Sequence, residues 1–263
     1  MNTELFNLKG KTAIVTGGAN GIGKGCSLML SDFGANVVVA DLKLEDAKKA
    51  VDEIKDKGGK AMPSASSAIA VSCNVMKDEE LTNLVKRTID EFGGIHILVN
   101  NVGGGGAGKE SPSDISVDDF ARTFQLNVFS AWRLSQLCAP EMKKSGYGSI
   151  ISMSSMSSIN KSPAISAYAS SKAAINHMTA NLAFDYGPEV RINAVAPGAI
   201  KTDALASVLT PEREKKMLSH TPLGRLGQPE DIAGTVLYLA APISSWVSGQ
   251  VLFVNGGGVQ TLD

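Results

Sequence analysis

Between Thr16 and Gly23 the chain reads T-G-G-A-N-G-I-G, and this string joins the apolar run Thr12–Thr16 to an amphipathic stretch at Ile22–Phe33. Backbone N–H groups at the first turn of a helix, with the helix macrodipole behind them, attract negative charge if no side chain blocks the approach. Glycines at 17, 21 and 23 remove those side chains. Gly17 permits the tight turn after a strand, Gly21 the close approach of a phosphate, and Gly23 the packing of helix on sheet. The string therefore demands a strand feeding a helix, and that unit recurs along the chain.

Short apolar runs, many of them β-branched, occur at Thr12–Thr16, Asn36–Ala40, Ile69–Cys73, Ile95–Asn100, Ser149–Ser154, Val190–Val195 and Val251–Val254. Longer amphipathic stretches separate them at Ile22–Phe33, Leu44–Lys57, Asp78–Phe92, Val117–Lys144, Ile165–Tyr186 and Pro229–Ala241. Strand–helix alternation of this kind predicts an α/β Rossmann fold: a doubly wound, seven-stranded parallel sheet with helices on both faces. No second core or long linker interrupts residues 1–263, so one dinucleotide-binding and catalytic domain is expected. Two stretches depart from the pattern. Met62–Ala68, M-P-S-A-S-S-A, reads as a surface loop before the third strand. Asp203–Thr221, apolar and containing Pro211, follows the sixth strand and is a candidate lid over a ligand.

Composition narrows the partners. The 25 Lys+Arg and 26 Asp+Glu give a net charge of −1, which provides no broad basic face for nucleic acid or an anionic membrane. A small, neutral or weakly anionic ligand fits better. No apolar run approaches the roughly 18 residues needed to span a bilayer, and the N-terminus lacks the order of a signal peptide. Cys26, Cys73 and Cys138 lie far apart, so a reducing, cytoplasmic location without structural disulfides is expected. His96, His177 and His220 have no metal-ligand spacing, and no metal is expected.

An acid, Asp41, follows eighteen residues after Gly23 at the end of V-V-V-A-D. A carboxylate there can accept hydrogen bonds from both ribose hydroxyls of an adenosine and repels a 2′-phosphate, so NAD is preferred to NADP. Asn20 supplies no cation for an extra phosphate, although Lys24 and Lys43 stand nearby. The cofactor seat thus comprises Gly17, Asn20, Gly21, Ile22, Gly23, Asp41 and Leu42. Asp41 also stands where a turn acid or a helix cap is the ordinary alternative. N-N-V-G at 100–103 ends the fourth strand, where the sheet reverses direction; Asn101 and Gly103 are placed to line the crevice.

Chemistry enters at Ser155, Tyr168 and Lys172. Oxidising an alcohol requires a base for the hydroxyl proton, and tyrosine, with an ordinary pKa of about 10, is a poor one. On a helix, Tyr168 and Lys172 are i and i+4, so an ammonium on the same face is expected to favour the phenolate and lower its pKa. Ser155, just after the fifth strand, can hold the reacting oxygen. Tyr168 and Lys172 also face the cofactor in this reading.

Taken together these residues resemble the short-chain dehydrogenase/reductase superfamily along nearly the whole chain. The resemblance implies catalytic roles for Ser155, Tyr168 and Lys172, and for Asn127 in L-N-V as the member of a water-linked proton relay to the lysine. It also implies that Pro197 and Gly198 face the nicotinamide, that Ile200 and Thr202 lie near its carboxamide, and that the chain forms a homotetramer. Asn74 stands where the family usually has Asp against adenine, with Val75 beside it, and Val102 replaces the usual Ala; these bear on cofactor affinity. The strings S-Q-L-C-A-P-E-M, A-P-G-A-I-K-T-D-A-L, L-S-H-T-P-L-G-R-L-G-Q-P-E-D-I-A and S-W-V-S-G-Q lie mostly outside the shared motifs. They resemble the bacterial 7α-hydroxysteroid dehydrogenases within the superfamily, which implies a steroid substrate, a bile acid oxidised with NAD at its 7α-hydroxyl.

Rival readings are distinguishable. A 3-oxoacyl carrier-protein reductase would use NADPH, which Asp41 and Asn20 oppose; Arg133 suits an acidic carrier, whereas Phe184 stands where a second arginine is usual. Another short-chain alcohol dehydrogenase, for a sugar or polyol, fits poorly with Leu205, Val208, Leu209, Met217 and Leu218 in the lid. A non-enzymatic dinucleotide sensor would be expected to lose a catalytic residue, and none is lost.

Overall fold

The computed structural model describes residues 3–57, 67–105, 110–207 and 209–258. Seven parallel strands, β1 (Thr12–Thr16), β2 (Asn36–Asp41), β3 (Ala68–Ser72), β4 (Ile97–Asn100), β5 (Gly148–Met153), β6 (Val190–Pro197) and β7 (Val251–Val254), form one sheet in the order 3-2-1-4-5-6-7. Helices α1 (Gly21–Asp32), α2 (Leu44–Lys57), α3 (Asp78–Phe92), α4 (Val117–Phe124), α5 (Ser130–Ser145), α6 (Ser166–Tyr186), α7 (Asp203–Ala206), α8 (Pro211–Ser219) and α9 (Pro229–Ala240) connect them.

The period of two along each strand divides the core. Ala13, Val15, Val37, Val39, Val99 and Ile151 point to one face, packed on Leu30 of α1, Ile54 of α2 and Ile232 and Val236 of α9. Ile14, Val38, Leu98, Ile150 and Ile192 point to the other, against Leu84 of α3, Leu134 and Met142 of α5 and Leu182 of α6. Strands covered on both faces read as continuous apolar runs, which is why β1 and β5 are buried at every position. The chain lays β2 and β3 to one side of β1 and then returns to place β4 on its other side. That reversal of strand order beside β1 and β4 is the switch point at which open α/β sheets hold their ligands.

Three differences from the sequence reading have physical causes. The stretch 117–144 is helical throughout but not uniform: a π turn at Gln125–Phe129 lies between α4 and α5 and turns Asn127 into the protein. Ala68, assigned to a loop, begins β3 because it pairs with Val37; positions 62–66 lie outside the described residues. Pro211 opens α8 at its first turn, where a missing N–H costs nothing, with Thr210 as the cap accepting from Arg213 N–H at 3.3 Å. No helix among the described residues is long and apolar enough to cross a membrane.

Candidate active site

The turn from β1 into α1 is built for backbone approach. Gly17 and Gly21 take φ of +60° and +52°, the left-handed region that side chains disfavour. A Cβ on Gly23 would lie 2.1 Å from the Gly17 carbonyl oxygen, so only glycine permits this packing. Asn20, the N-cap of α1, makes no side-chain cap, so the first amides of the helix are left without one. Asn101 braces the turn from β4: its Nδ2 donates to the Thr16 carbonyl at 2.9 Å and to that of Gly17 at 3.2 Å. Its side chain is thus part of the wall that shapes the seat. Ile22 is half-buried, Leu42 is exposed, and Thr202 reaches over the turn, its methyl 3.2 Å from a Cβ built on Gly21.

Asp41 ends β2 facing this turn. Its Oδ2 accepts from the Ala19 N–H at 3.3 Å and its Oδ1 from the Lys43 N–H at 3.4 Å. Because α2 starts at Leu44, the carboxylate does not cap that helix. The Lys24 ammonium, a possible partner for a 2′-phosphate, is paired with Glu53 at 2.5 Å. Glycine turn, uncapped helix and ribose-facing acid together fit a dinucleotide with a free 2′-hydroxyl. The Asn74 amide oxygen has a partner within the protein and keeps a second lone pair. That oxygen accepts from Met76 N–H at 3.0 Å, and the Asn74 N–H donates to Glu80 at 2.7 Å, closing the turn into α3. Val75 is buried behind it.

Beyond the seat, β5 delivers Ser155 and α6 delivers Tyr168 and Lys172. The Ser155 hydroxyl accepts from Ser157 N–H at 3.1 Å and stands near enough to the Tyr168 phenol to act on its titration. Lys172, 3 % exposed, donates to the Met153 carbonyl at 2.7 Å, and its Nζ lies 5.6 Å from the Tyr168 ring centroid. Burial pushes the Lys172 ammonium down to about 8. The phenol is pushed above its ordinary range, first by burial, with the Ser155 hydroxyl acting against the rise and the Glu110 carboxylate adding to it. Tyr168 in this state is therefore not the lowered acid expected from an i, i+4 lysine. The distance and the low polarity around both groups outweigh that pairing.

Asn127 closes the other side. Its Oδ1 accepts from Gly104 N–H, and its Nδ2 donates to the Gly104 carbonyl and to the Ser171 hydroxyl, each at 2.9 Å. A Cβ on Gly103 would lie 2.9 Å from Lys172 Nζ and 3.3 Å from Asn127 Oδ1, so a glycine there lets lysine and asparagine approach the same spot. Pro197 ends β6, Gly198 N–H donates to the Val254 carbonyl, and Ile200 is buried beside Gly227. The Thr202 hydroxyl caps α7 by accepting from Leu205 N–H at 3.3 Å. Sequence reasoning passed over Glu110, a buried carboxylate against the first turn of α6. Nothing in K-E-S-P signals it, because its partners lie more than fifty positions away. Arg133 is held by Asp78, through Nε and through Nη2 at 3.2 Å. No cluster of three or more His, Cys, Asp or Glu placed to hold a metal occurs among the described residues.

Residues 17–258 match a family model described as enoyl-(acyl carrier protein) reductase. The chain is 49 % identical over 263 residues to 7α-hydroxysteroid dehydrogenase of Escherichia coli K12, covering 100 % of this chain and 99 % of that protein. It is 37 % identical to 7α-hydroxysteroid dehydrogenase of Clostridium sardiniense, covering 96 % and 95 %. Among solved structures, a 7α-hydroxysteroid dehydrogenase complexed with NADH and 7-oxo glycochenodeoxycholic acid superposes with a TM-score of 0.93 at 48 % identity, over the full length of both chains. Seven-stranded topology, glycine turn and the Ser155–Tyr168–Lys172 cluster agree with these matches, and the chain belongs to the short-chain dehydrogenase/reductase family.

Proposed function

We propose that this chain is an NAD-dependent 7α-hydroxysteroid dehydrogenase, oxidising the 7α-hydroxyl of a bile acid to the 7-oxo compound, reversibly. The observation that carries the reading is the full-length similarity to a 7α-hydroxysteroid dehydrogenase solved with NADH and a 7-oxo bile acid, on a chain that keeps its Ser, Tyr and Lys together. In this reading Ser155 and Tyr168 hold the substrate hydroxyl between them. Tyr168 as phenolate takes the hydroxyl proton, the C7 hydride leaves, and the C–O bond becomes a carbonyl. The bound nicotinamide supplies the hydride acceptor. Lys172 supports the phenolate with its charge, and Asn127 holds the backbone at Gly104 beside it. In reduction the protonated phenol returns the proton to the alkoxide.

The seat at Gly17, Asn20, Gly21, Ile22 and Gly23 would take the pyrophosphate. Asp41 and Leu42 would take the ribose, Asn74, Val75, Asn101 and Gly103 the adenosine side, and Pro197, Gly198, Ile200 and Thr202 the nicotinamide. Asp41 would accept from a free 2′-hydroxyl and repel a 2′-phosphate, which supports NAD as the cofactor. Residues 203–221 form the substrate lid, with Leu205, Leu209 and Leu218 half-buried and Met217 buried. The chain assembles as a homotetramer in this reading; exposed Phe129, Trp132 and Phe184 are the aromatic surface such an assembly would cover. Free, buried Cys26, Cys73 and Cys138 suit the cytoplasm. The carrier-protein reductase reading loses support, because Arg133 is committed to Asp78 and Phe184 is exposed.

The test compares cholate and chenodeoxycholate with the 7β epimer ursodeoxycholate and with deoxycholate, which lacks a 7-hydroxyl, each with NAD. NADH formation from the first pair and almost none from the second is expected. Equal rates on all four, or activity confined to acetoacetyl thioesters with NADPH, overturn the proposal.

A further inference from the structure

Helix α6 carries Tyr168 in its first turn, yet its N-cap residue is Ile165, which has no side-chain acceptor to offer the free amides. The acceptor comes from elsewhere in the chain. Glu110, 7 % exposed on the loop between β4 and α4, presents Oε2 to the Tyr168 N–H at 2.9 Å. The same residue holds the approach to the helix through its backbone. Its N–H donates to the Ala164 carbonyl at 3.0 Å, its carbonyl accepts from the Ser166 hydroxyl at 3.3 Å, and it bridges Ile165 in parallel. Ala164 has φ of +53°, the one non-glycine positive φ among the described residues, so the entry to α6 is held in a conformation that side chains disfavour. Gly105 makes room for the carboxylate. A Cβ there would lie 2.9 Å from Glu110 Oε1 and 3.3 Å from Tyr168 Cβ.

We propose that Glu110 is a positioning residue for proton transfer: by gripping Ala164, Ser166 and the Tyr168 amide at once, it fixes the first turn of α6 and hence where the phenol stands against Ser155. The inference rests on the reading of Tyr168 as the acid/base group. The carboxylate carries a second consequence, since a negative charge beside the phenol opposes formation of the phenolate. The groups that face this pair are Lys172 on α6 and Ser155 after β5. Asp114, Asp119 and Arg122 line with Glu110 and Gly105 a cavity of about 400 Å³. Glu110 is thus a wall shared by the tyrosine and that cavity. Removing its charge while keeping its oxygen separates grip from electrostatics.

The experiment compares Glu110→Gln, Glu110→Ala and Tyr168→Phe in the full-length chain. It measures the kcat pH profile for cholate oxidation, NADH affinity by fluorescence titration, and Tm. Glu110→Ala is expected to lower kcat about tenfold with NADH affinity within about twofold. Glu110→Gln, which still accepts from the Tyr168 N–H, is expected to restore most of that loss. Its rising pH limb should move to lower pH, because the charge that opposes the phenolate is gone. Unaltered kcat and pH limb in both Glu110 variants overturns the proposal, and so does a loss of kcat, NADH affinity and Tm together that Gln does not rescue. Either result beside an inactive Tyr168→Phe leaves the tyrosine assignment standing, whereas turnover by Tyr168→Phe removes the tyrosine assignment and Glu110's role with it.

Discussion

Lys172→Met should make the protein a worse enzyme and, near neutral pH, remove a large electrostatic penalty from the fold. The ammonium is 3 % exposed, and burial pushes its pKa from 10.5 down to about 8. Between those values the unfolded chain holds a proton that the folded chain has released. Stability therefore rises as pH climbs from about 8 toward 10.5, and the full penalty is present below 8. The gap corresponds to about 3 kcal/mol as an upper figure. Methionine removes it but leaves the Met153 carbonyl without its 2.7 Å donor, a loss of about 1–3 kcal/mol. The net change at pH 7 is thus small, and the informative quantity is its pH dependence. Urea unfolding followed by tryptophan fluorescence, at matched protein concentration, should give a variant-minus-wild-type difference that shifts against the variant by about 2–3 kcal/mol between pH 7 and pH 10. A difference that stays constant over that range refutes the reasoning. Activity should fall at the same time, because the variant loses the amine that stands 5.6 Å from the Tyr168 ring.

Tyr168→Phe keeps the ring and the cofactor seat but removes the proton acceptor, so kcat should fall by roughly 10²–10⁴ with NADH affinity by fluorescence titration little changed. Asp41→Ala should narrow the NAD-over-NADP ratio of kcat/KM, since the repulsion of a 2′-phosphate disappears while Lys24 remains paired with Glu53; an unchanged ratio would remove Asp41 from that role. Burial pushes Cys26 and Cys73 up to about 12 and raises Cys138 as well, so none of the three thiols should react with a disulfide reagent at pH 8 until the chain is unfolded. Rapid labelling of the native protein would contradict their burial.

Which parts of this were legible in the sequence follows from the range of the interactions. The strands came through because a doubly covered parallel sheet needs continuous apolar runs, and those runs are local. The glycine turn came through because Gly17, Gly21 and Gly23 answer a backbone requirement that spacing alone expresses. The π turn at Gln125–Phe129 did not, because it depends on Asn127 meeting Gly104 and Ser171 across the fold. Nor did the direction of the Tyr168 shift. An i, i+4 spacing predicts proximity to Lys172, but the burial that outweighs it is a property of the packed site. The Asn74 bond to the Met76 N–H, which closes the turn into α3, carries no sequence pattern either. Glu110 was invisible for the same reason as the π turn, since a lone acid after a glycine run carries no local pattern.

The central claim is that the hydride leaves carbon 7 of a steroid and goes directly to the nicotinamide while Tyr168 takes the hydroxyl proton. Cholate deuterated at C7 tests it in one step. Incubated with NAD, the account predicts a 7-oxo product that has lost the label, reduced nicotinamide that has gained it, and a slowed chemical step. A product that keeps deuterium at C7 and is oxidised at carbon 3 or 12 instead, or NADH without the label, would contradict it.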